Sequence, residues 1–343
     1  MKRHHNTLYV TTQGACVRAK DETVVVRVEG TTRLQLPLHN LEGIVCFGRV
    51  SCTPALMARC AERGVGISFL TERGRFLARV EGPISGNVLL RRAQYRQADQ
   101  LALAVRLARN FVVAKVASCR SLLLRGARDH DENARAVKLR ECANSLARHL
   151  SELDRDMDLD GVRGVEGEAA STYFSVFNQL IVAQNDTFSF HGRSRRPPLD
   201  NVNALLSFVY TLATHDACSA LEVVGLDPQV GFLHRDRPGR PGLALDLVEE
   251  FRAFLADRLV LSLINRRQVQ AAGFVKTETG GIMMDDDTRK TVLVAYQERK
   301  QEEIAHPFLG ERTTVGMLVH LQALLLARYL RGDLDDYPPF IWK

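Results

Sequence analysis

The chain has 343 residues, 45% of them hydrophobic and 25% charged, and a formal net charge of +6. That length accommodates two domains with separate cores, and the composition is that of an ordinary globular protein rather than a disordered one. No apolar run approaches the roughly 20 residues of a membrane span, no secretory signal precedes the first strand-like run, and seven scattered cysteines without a CxxC pair argue against a zinc site or a disulfide framework, so a cytoplasmic protein is expected.

Residues 1–80 read as a small β domain. Short β-branched or alternating runs at Thr7–Thr12, Cys16–Lys20, Thr23–Val28, Arg33–Leu38 and Gly43–Phe47 are separated by Gly14, Asp21-Glu22, Gly30 and Asn40. One helix interrupts them, with Thr53 as its cap, Pro54 at its first position and Gly64 at its end. Strands at Gly66–Leu70 and Arg75–Val80 follow, joined by a turn at Arg73-Gly74. Residues 81–90, opening with Glu81-Gly82-Pro83-Ile84-Ser85-Gly86-Asn87, read as a linker.

Residues 91–332 change to helical periodicity. Leu101, Val105, Ala108, Val112 and Val116 share one helix face, and further helices are expected around 132–153, 168–184, 200–223, 244–264, 288–303 and 313–331. A strand pair from Phe274 to Met284, turning at Gly280-Gly281, is the one β feature expected here. The tail from 333 to 343 reads as irregular. The fold class is therefore α+β, a small β domain followed by a larger all-α domain with one short hairpin.

Charge is unevenly spread. Between Arg91 and Glu141 twelve Lys/Arg face five acids, which leaves the rest of the chain nearly neutral. Such a block suits a phosphate-binding face, with Arg106, Arg109 and Arg120 as candidates, and its ordinary alternative is a solvated face on long helices.

The GxxxxGK[ST] loop, GxGxxG after a strand, HExxH and GxSxG are all absent, which removes the commonest nucleotide, dinucleotide, zinc-protease and α/β-hydrolase signatures. An acid–histidine–acid set remains. Glu166 lies in Gly164-Val165-Glu166-Gly167-Glu168-Ala169-Ala170, expected near a helix start. His234 sits in the loop Gly231-Phe232-Leu233-His234-Arg235-Asp236-Arg237-Pro238-Gly239-Arg240. Asp246 and Glu249 follow on the next helix, where i, i+3 spacing places both carboxylates on one side, with 247, 248, 251, 254, 255 and 258 as the buried stripe. Carboxylates with one imidazole make a hard, oxygen-rich site suited to Mg²⁺ or Mn²⁺, and Arg235 and Arg237 are placed to hold a phosphate. Each residue also has an ordinary reading, as a helix-dipole partner, a solvated loop histidine or a wet acidic face, and spacing alone does not decide between them. Asp285-Asp286-Asp287 is better explained by a helix N-terminus, and spacing assigns no carboxylate to His4, His5, His306 or His320, which are left out of the site.

The runs Arg163–Phe174, Asn203–Tyr210, Gly225-Leu226-Asp227-Pro228 through His234, and Leu243–Arg252, in this order, resemble the CRISPR-associated adaptation endonuclease/integrase family. Gly82-Pro83, Gly86-Asn87-Val88, Arg91 and Gln94-Tyr95 add to the match, and the end of the chain, Leu326–Leu334 with Tyr337-Pro338-Pro339-Phe340, resembles the I-C subtype. The resemblance implies an N-terminal β domain and a C-terminal helical domain. It implies a homodimer paired through the β domains, and two such dimers around a small second adaptation Cas protein. It assigns the metal to Glu166, His234 and Glu249 with Asp246 in support, and the activity to 3′-hydroxyl attack of a short DNA duplex on phosphodiesters at the edges of a CRISPR repeat. Glu249 departs from the aspartate of many members, so Glu250 remains open as a substitute, as does Glu168 for Glu166. A structure-specific nuclease acting on branched DNA in repair, and a non-catalytic DNA-binding scaffold, are the alternatives.

Overall fold

The computed structural model describes residues 6–72, 76–80, 82, 88–129 and 134–342. The chain divides into two compact units, Met1–Ser85 and Gly86–Lys343. The expected turn at Arg73-Gly74, the first residue of the strand expected at Arg75, the linker apart from Gly82 and 88–90, the first residues of the helix expected at 132, and His4 and His5 lie outside the described residues.

The first unit contains β1 (Asn6–Val10), β2 (Cys16–Lys20), β3 (Thr23–Val28), β4 (Thr31–Pro37), β5 (Leu41–Phe47), β6 (Ser51–Cys52), α1 (Pro54–Arg63), β7 (Gly66–Leu70) and β8 (Phe76–Val80). One sheet runs β1-β5-β7-β8, parallel except for β8, and the other runs β4-β3-β2-β6, antiparallel except for β6. Their apolar residues meet in one core that includes Val17, Val24, Ile44, Cys46 and Ile67. Helix α1 starts where expected, because the Thr53 hydroxyl accepts from the Leu56 amide and Pro54 has no N–H that would need an acceptor. It stops at Gly64, whose φ of 68° lies in the left-handed region that favours a residue without a Cβ. All seven cysteines are free thiols, and Cys46 and Cys52 share an S–H···S contact of 3.7 Å.

The second unit contains α2 (Val88–Asp99), α3 (Leu101–Arg128), α4 (Ala134–Leu153), α5 (Leu159–Ser175), α6 (Asn201–Val224), α7 (Gly242–Glu249), α8 (Arg258–Asn265), β9 (Phe274–Lys276), β10 (Ile282–Met284), α9 (Asp286–Gln301), β11 (Glu303–Ala305), β12 (Arg312–Thr314) and α10 (Val315–Arg331). Helix α3 is the central rod. It buries Leu107, Phe111, Val112, Val116, Cys119 and Leu123, and it packs against α2, α4, α5 and α7. No described helix is long and apolar enough to cross a membrane.

Four expectations need correction. Residues 88–90 are helix rather than linker, because α2 buries Leu90 and Gln94. The helix expected at 168–184 runs from Leu159 to Ser175, so Glu166 stands in mid-helix rather than at its start. Asp158 caps it through the Gly161 amide at 2.7 Å, and packing overrides the cost of three internal glycines, about 1 kcal/mol each relative to alanine. The helix expected at 244–264 is broken: α7 ends at Glu249, a π-helical turn spans Arg252–Asp257, and α8 resumes at Arg258. A second hairpin, β11–β12, joins the one expected at β9–β10.

The tail after α10 is irregular, as expected, yet it is firmly seated. Tyr337 and Phe340 are buried, and Arg106 on α3 binds both the Asp336 carboxylate and the Asp335 carbonyl.

Candidate metal centre

In the second unit Glu166 and Glu249 share the Lys115 ammonium and His234 Nε2 faces Glu249, the three side chains coming from three separate elements. Glu166 projects from the middle of α5, Glu249 closes α7, and His234 stands on the loop between α6 and α7. Lys115, from the middle of α3, ion-pairs with Glu166 Oε1 and lies 2.8 Å from Glu249 Oε2. His234 Nε2 is 4.0 Å from Glu249 Oε1.

Asp246 is the organiser of this loop. Its buried carboxylate accepts from the backbone amides of Phe232 (2.6 Å), Leu233 (3.0 Å) and His234 (3.0 Å), and it meets His234 Nδ1 at 2.6 Å. Four donors satisfy both oxygens, so Asp246 has no lone pair directed outward. With Nδ1–H engaged by the carboxylate, Nε2 is the nitrogen that carries a free lone pair. Gly231 and Gly242 permit the approach, since a Cβ on Gly231 would lie 2.7 Å from Asp246 Oδ2 and one on Gly242 would lie 2.7 Å from the Gln229 carbonyl. From the sides, Arg163 Nε donates to the Leu233 carbonyl at 2.7 Å, and the Gln94 amide brackets the loop at Asp227 and Val230.

The ordinary reading of 246 and 249 as a wet acidic face does not apply, because both are buried. Buried carboxylates require countercharge. Arg252 supplies part of it, binding Glu249 Oε1 at 2.9 Å with its guanidinium stacked 4.7 Å from the Tyr210 ring centroid. Burial alone would push the Glu249 carboxyl upward, but Arg252, Lys115 and His234 outweigh it and hold it down at about 2. For Lys115 burial works against the ammonium, and the two glutamates more than offset it, so it stays charged above its ordinary value. Lys115 and Arg252 were not singled out from sequence. The signal for Lys115 was there, in a lone charge within the otherwise uncharged run Phe111–Cys119.

Glu250 does not compete for the centre. Its carboxylate accepts from Tyr337 (2.5 Å), the Gln322 amide (2.9 Å) and the Phe340 backbone N–H (2.7 Å), so both oxygens face the C-terminal tail. Burial pushes this carboxyl up to about 7 despite those three donors. The folded chain therefore keeps a proton that the unfolded chain releases near its ordinary value of 4.5, and stability is expected to fall as pH rises between about 4.5 and about 7. Melting temperature measured across that range should decline more steeply in the wild type than in Glu250→Gln; equal slopes would contradict the assignment.

Glu168 is equally separate from the centre. Two residues from Glu166 on one helix, it lies roughly 200° around the axis. There it groups with His149 and Glu152, one ligand-type atom of each within 4.8 Å of the others. His149 Nδ1 already pairs with Glu152 at 3.4 Å, Glu152 is half-buried and Glu168 is exposed to solvent. Asp285 caps α9 through the Thr288 amide, and Asp286 pairs with Arg289, as a helix N-terminus requires.

The candidate DNA-binding arginines separate into two kinds. Arg106 is tied to the tail, Arg109 donates to the Arg155 carbonyl at 3.1 Å, and Arg120 is half-buried. Arg235 pairs with Asp160 at 2.9 Å, while Arg237 is exposed. Burial, together with Arg237 and Arg195 nearby, pushes the Arg240 guanidinium below its usual value, which marks a concentration of positive charge beside the centre.

In chain order, a β unit is followed by a helical unit that holds two glutamates and a histidine. The chain belongs to the family described as CRISPR associated protein Cas1, whose model matches residues 8–298. It is 56% identical over 343 residues to the CRISPR-associated endonuclease Cas1 1 of Chlorobaculum tepidum, covering 100% of both chains. Among solved structures it resembles a casposase bound to an integration product, with a TM-score of 0.84 and 22% identity over 98% of this chain and 94% of that one. It also resembles a chain of a Cas6-RT-Cas1–Cas2 complex, with a TM-score of 0.83 and 21% identity over 100% of this chain and 36% of that one. At these identities the two structures show the fold.

Proposed function

We propose that the protein is a metal-dependent DNA endonuclease and integrase that inserts short DNA fragments into a CRISPR array. The observation that carries this reading is that Glu166 and the buried Glu249 share the Lys115 ammonium while His234 Nε2 faces Glu249. Family membership and the relative named an endonuclease support it.

The residues present fit Mg²⁺ or Mn²⁺. Glu249 Oε2 is buried and receives no hydrogen bond, although the Lys115 ammonium is near, and His234 Nε2 has its lone pair free. Glu166, His234 and Glu249 would hold the ion, and Asp246 would orient His234 without ligating. Such an ion lowers the pKa of a bound hydroxyl and stabilises negative charge on a phosphoryl group.

The reaction is a transesterification. A 3′-hydroxyl oxygen forms a bond to phosphorus, the existing phosphodiester oxygen departs, and the number of ester bonds is unchanged. Arg235, Arg237 and Arg240 follow His234 on the same loop, where they would hold the phosphate. Arg106 and Arg109 are better assigned to seating the tail and the α4–α5 connection, with Arg120 kept as a phosphate contact.

The partners are double-stranded DNA and a small second Cas protein set between two dimers. Pairing of the dimer through the β unit is supported by edge strand β4, whose residues Thr31–Gln35 are exposed. The C-terminal run supports the I-C subtype. Incubation with the small partner, Mn²⁺ or Mg²⁺, a short duplex and a supercoiled repeat-bearing plasmid is expected to give duplex covalently joined at repeat edges. Cleavage of branched DNA without joining would favour the repair nuclease, and binding without either would favour the scaffold.

A further inference from the structure

We propose that Lys115 is an exchangeable counter-cation of the metal centre, holding Glu166 and Glu249 in place in the metal-free protein and giving up that place when a divalent ion binds. The inference rests on the reading of Glu166, His234 and Glu249 as metal ligands. It concerns what that centre must release in order to load.

Lys115 is almost wholly buried, with 7% of its side chain exposed, and its ammonium lies between carboxylates from two different helices. A cation bridging Glu166 and Glu249 must use the same oxygens. Three carboxylates, Glu166, Asp246 and Glu249, face two fixed cations, Lys115 and Arg252; adding a divalent ion with both in place would reverse the sign of the buried charge.

The two cations are held very differently. Arg252 takes Glu249 Oε1 at 2.9 Å and is stacked on Tyr210, so its planar group is fixed on two sides. Lys115 hydrogen-bonds Glu166 Oε1 and lies 2.8 Å from Glu249 Oε2, and it carries its charge on a flexible four-carbon stem. A small cavity lined by Lys115, Cys119, Tyr173, Tyr210, Arg252 and Asp257 lies beside it. The Asp257 carboxylate there already accepts from Tyr173 (2.8 Å) and Tyr210 (2.6 Å). The displaced ammonium thus has both space and a second carboxylate to approach.

The test is a titration of the intact protein with Mn²⁺, followed by calorimetry, for wild type, Lys115→Met and Lys115→Arg. Lys115→Met removes the competitor at similar volume and should bind Mn²⁺ about tenfold or more tightly than wild type. Lys115→Arg replaces it with a forked cation that grips both carboxylates and should bind about tenfold or more weakly. A role confined to packing would not move the two variants in opposite directions. Affinity of Lys115→Met equal to or below wild type overturns the exchange. If that variant does not fold, wild-type or tighter affinity in Lys115→Arg overturns it as well. A wild-type protein that binds no Mn²⁺, or a Glu166→Ala/His234→Ala protein that binds it fully, would instead overturn the metal assignment on which the inference rests.

Discussion

Glu166→Ala and His234→Ala are each expected to lower DNA cleavage and strand transfer by on the order of 10³-fold, the scale of removing one group that stabilises charge in the transition state. Both should remain folded. Glu166 is partly exposed on a helix face, and after its loss Lys115 still has Glu249 within 2.8 Å. Removing the imidazole leaves Asp246 with its three backbone donors, so the loop retains its anchor. Initial rates in Mn²⁺, measured beside melting temperatures, separate lost chemistry from lost structure. Rates within tenfold of wild type would contradict the roles given to these residues.

Asp246→Asn is expected to act on both stability and the centre. The carboxylate faces four donors, three of them backbone N–H groups buried with it. An amide offers one acceptor oxygen and turns an N–H₂ toward the remaining donors. Hydrogen bonds to a charged acceptor contribute about 1.5–3 kcal/mol each, so a loss of about 3 kcal/mol or more is expected, which lowers the melting temperature by roughly 10 °C. The same change releases His234 Nδ1–H from its partner, and loss of such an orienting group weakens metal binding by about 10- to 100-fold. A variant that melts with the wild type and binds Mn²⁺ equally well would remove Asp246 from its positioning role.

The β half was legible because its signals are local. Strands at Cys16–Lys20, Thr23–Val28 and Gly66–Leu70 fall where β-branched runs and turn residues put them, and Thr53, Pro54 and Gly64 punctuate α1. The helical half was legible in number and order more than in detail. Gly161, Gly164 and Gly167 concealed the true start of α5, although Asp158 before Leu159 is an ordinary capping signal. The break after Glu249 has no local signature, because the apolar stripe continues through the π turn; tertiary packing around Arg252 and Asp257 sets it.

The candidate site was legible in its acids and histidine, through the family's motifs rather than through spacing. Its cations were not: Lys115 is remote from Glu249 in sequence and only the fold brings it to that carboxylate, whereas Arg252 stands at i, i+3 from Glu249, a spacing that was read for the acids alone. Counting Lys115 in a basic surface block assigned it to solvent. The structure assigns it to the most buried part of the site.

The central claim is that one divalent ion belongs among Glu166, His234 and Glu249. Anomalous diffraction from crystals soaked in Mn²⁺ tests this directly. A single strong peak bounded by those three side chains is expected, with Asp246 still bonded to the loop amides. A peak at His149, Glu152 and Glu168 instead, or none between Glu166 and Glu249, would contradict it.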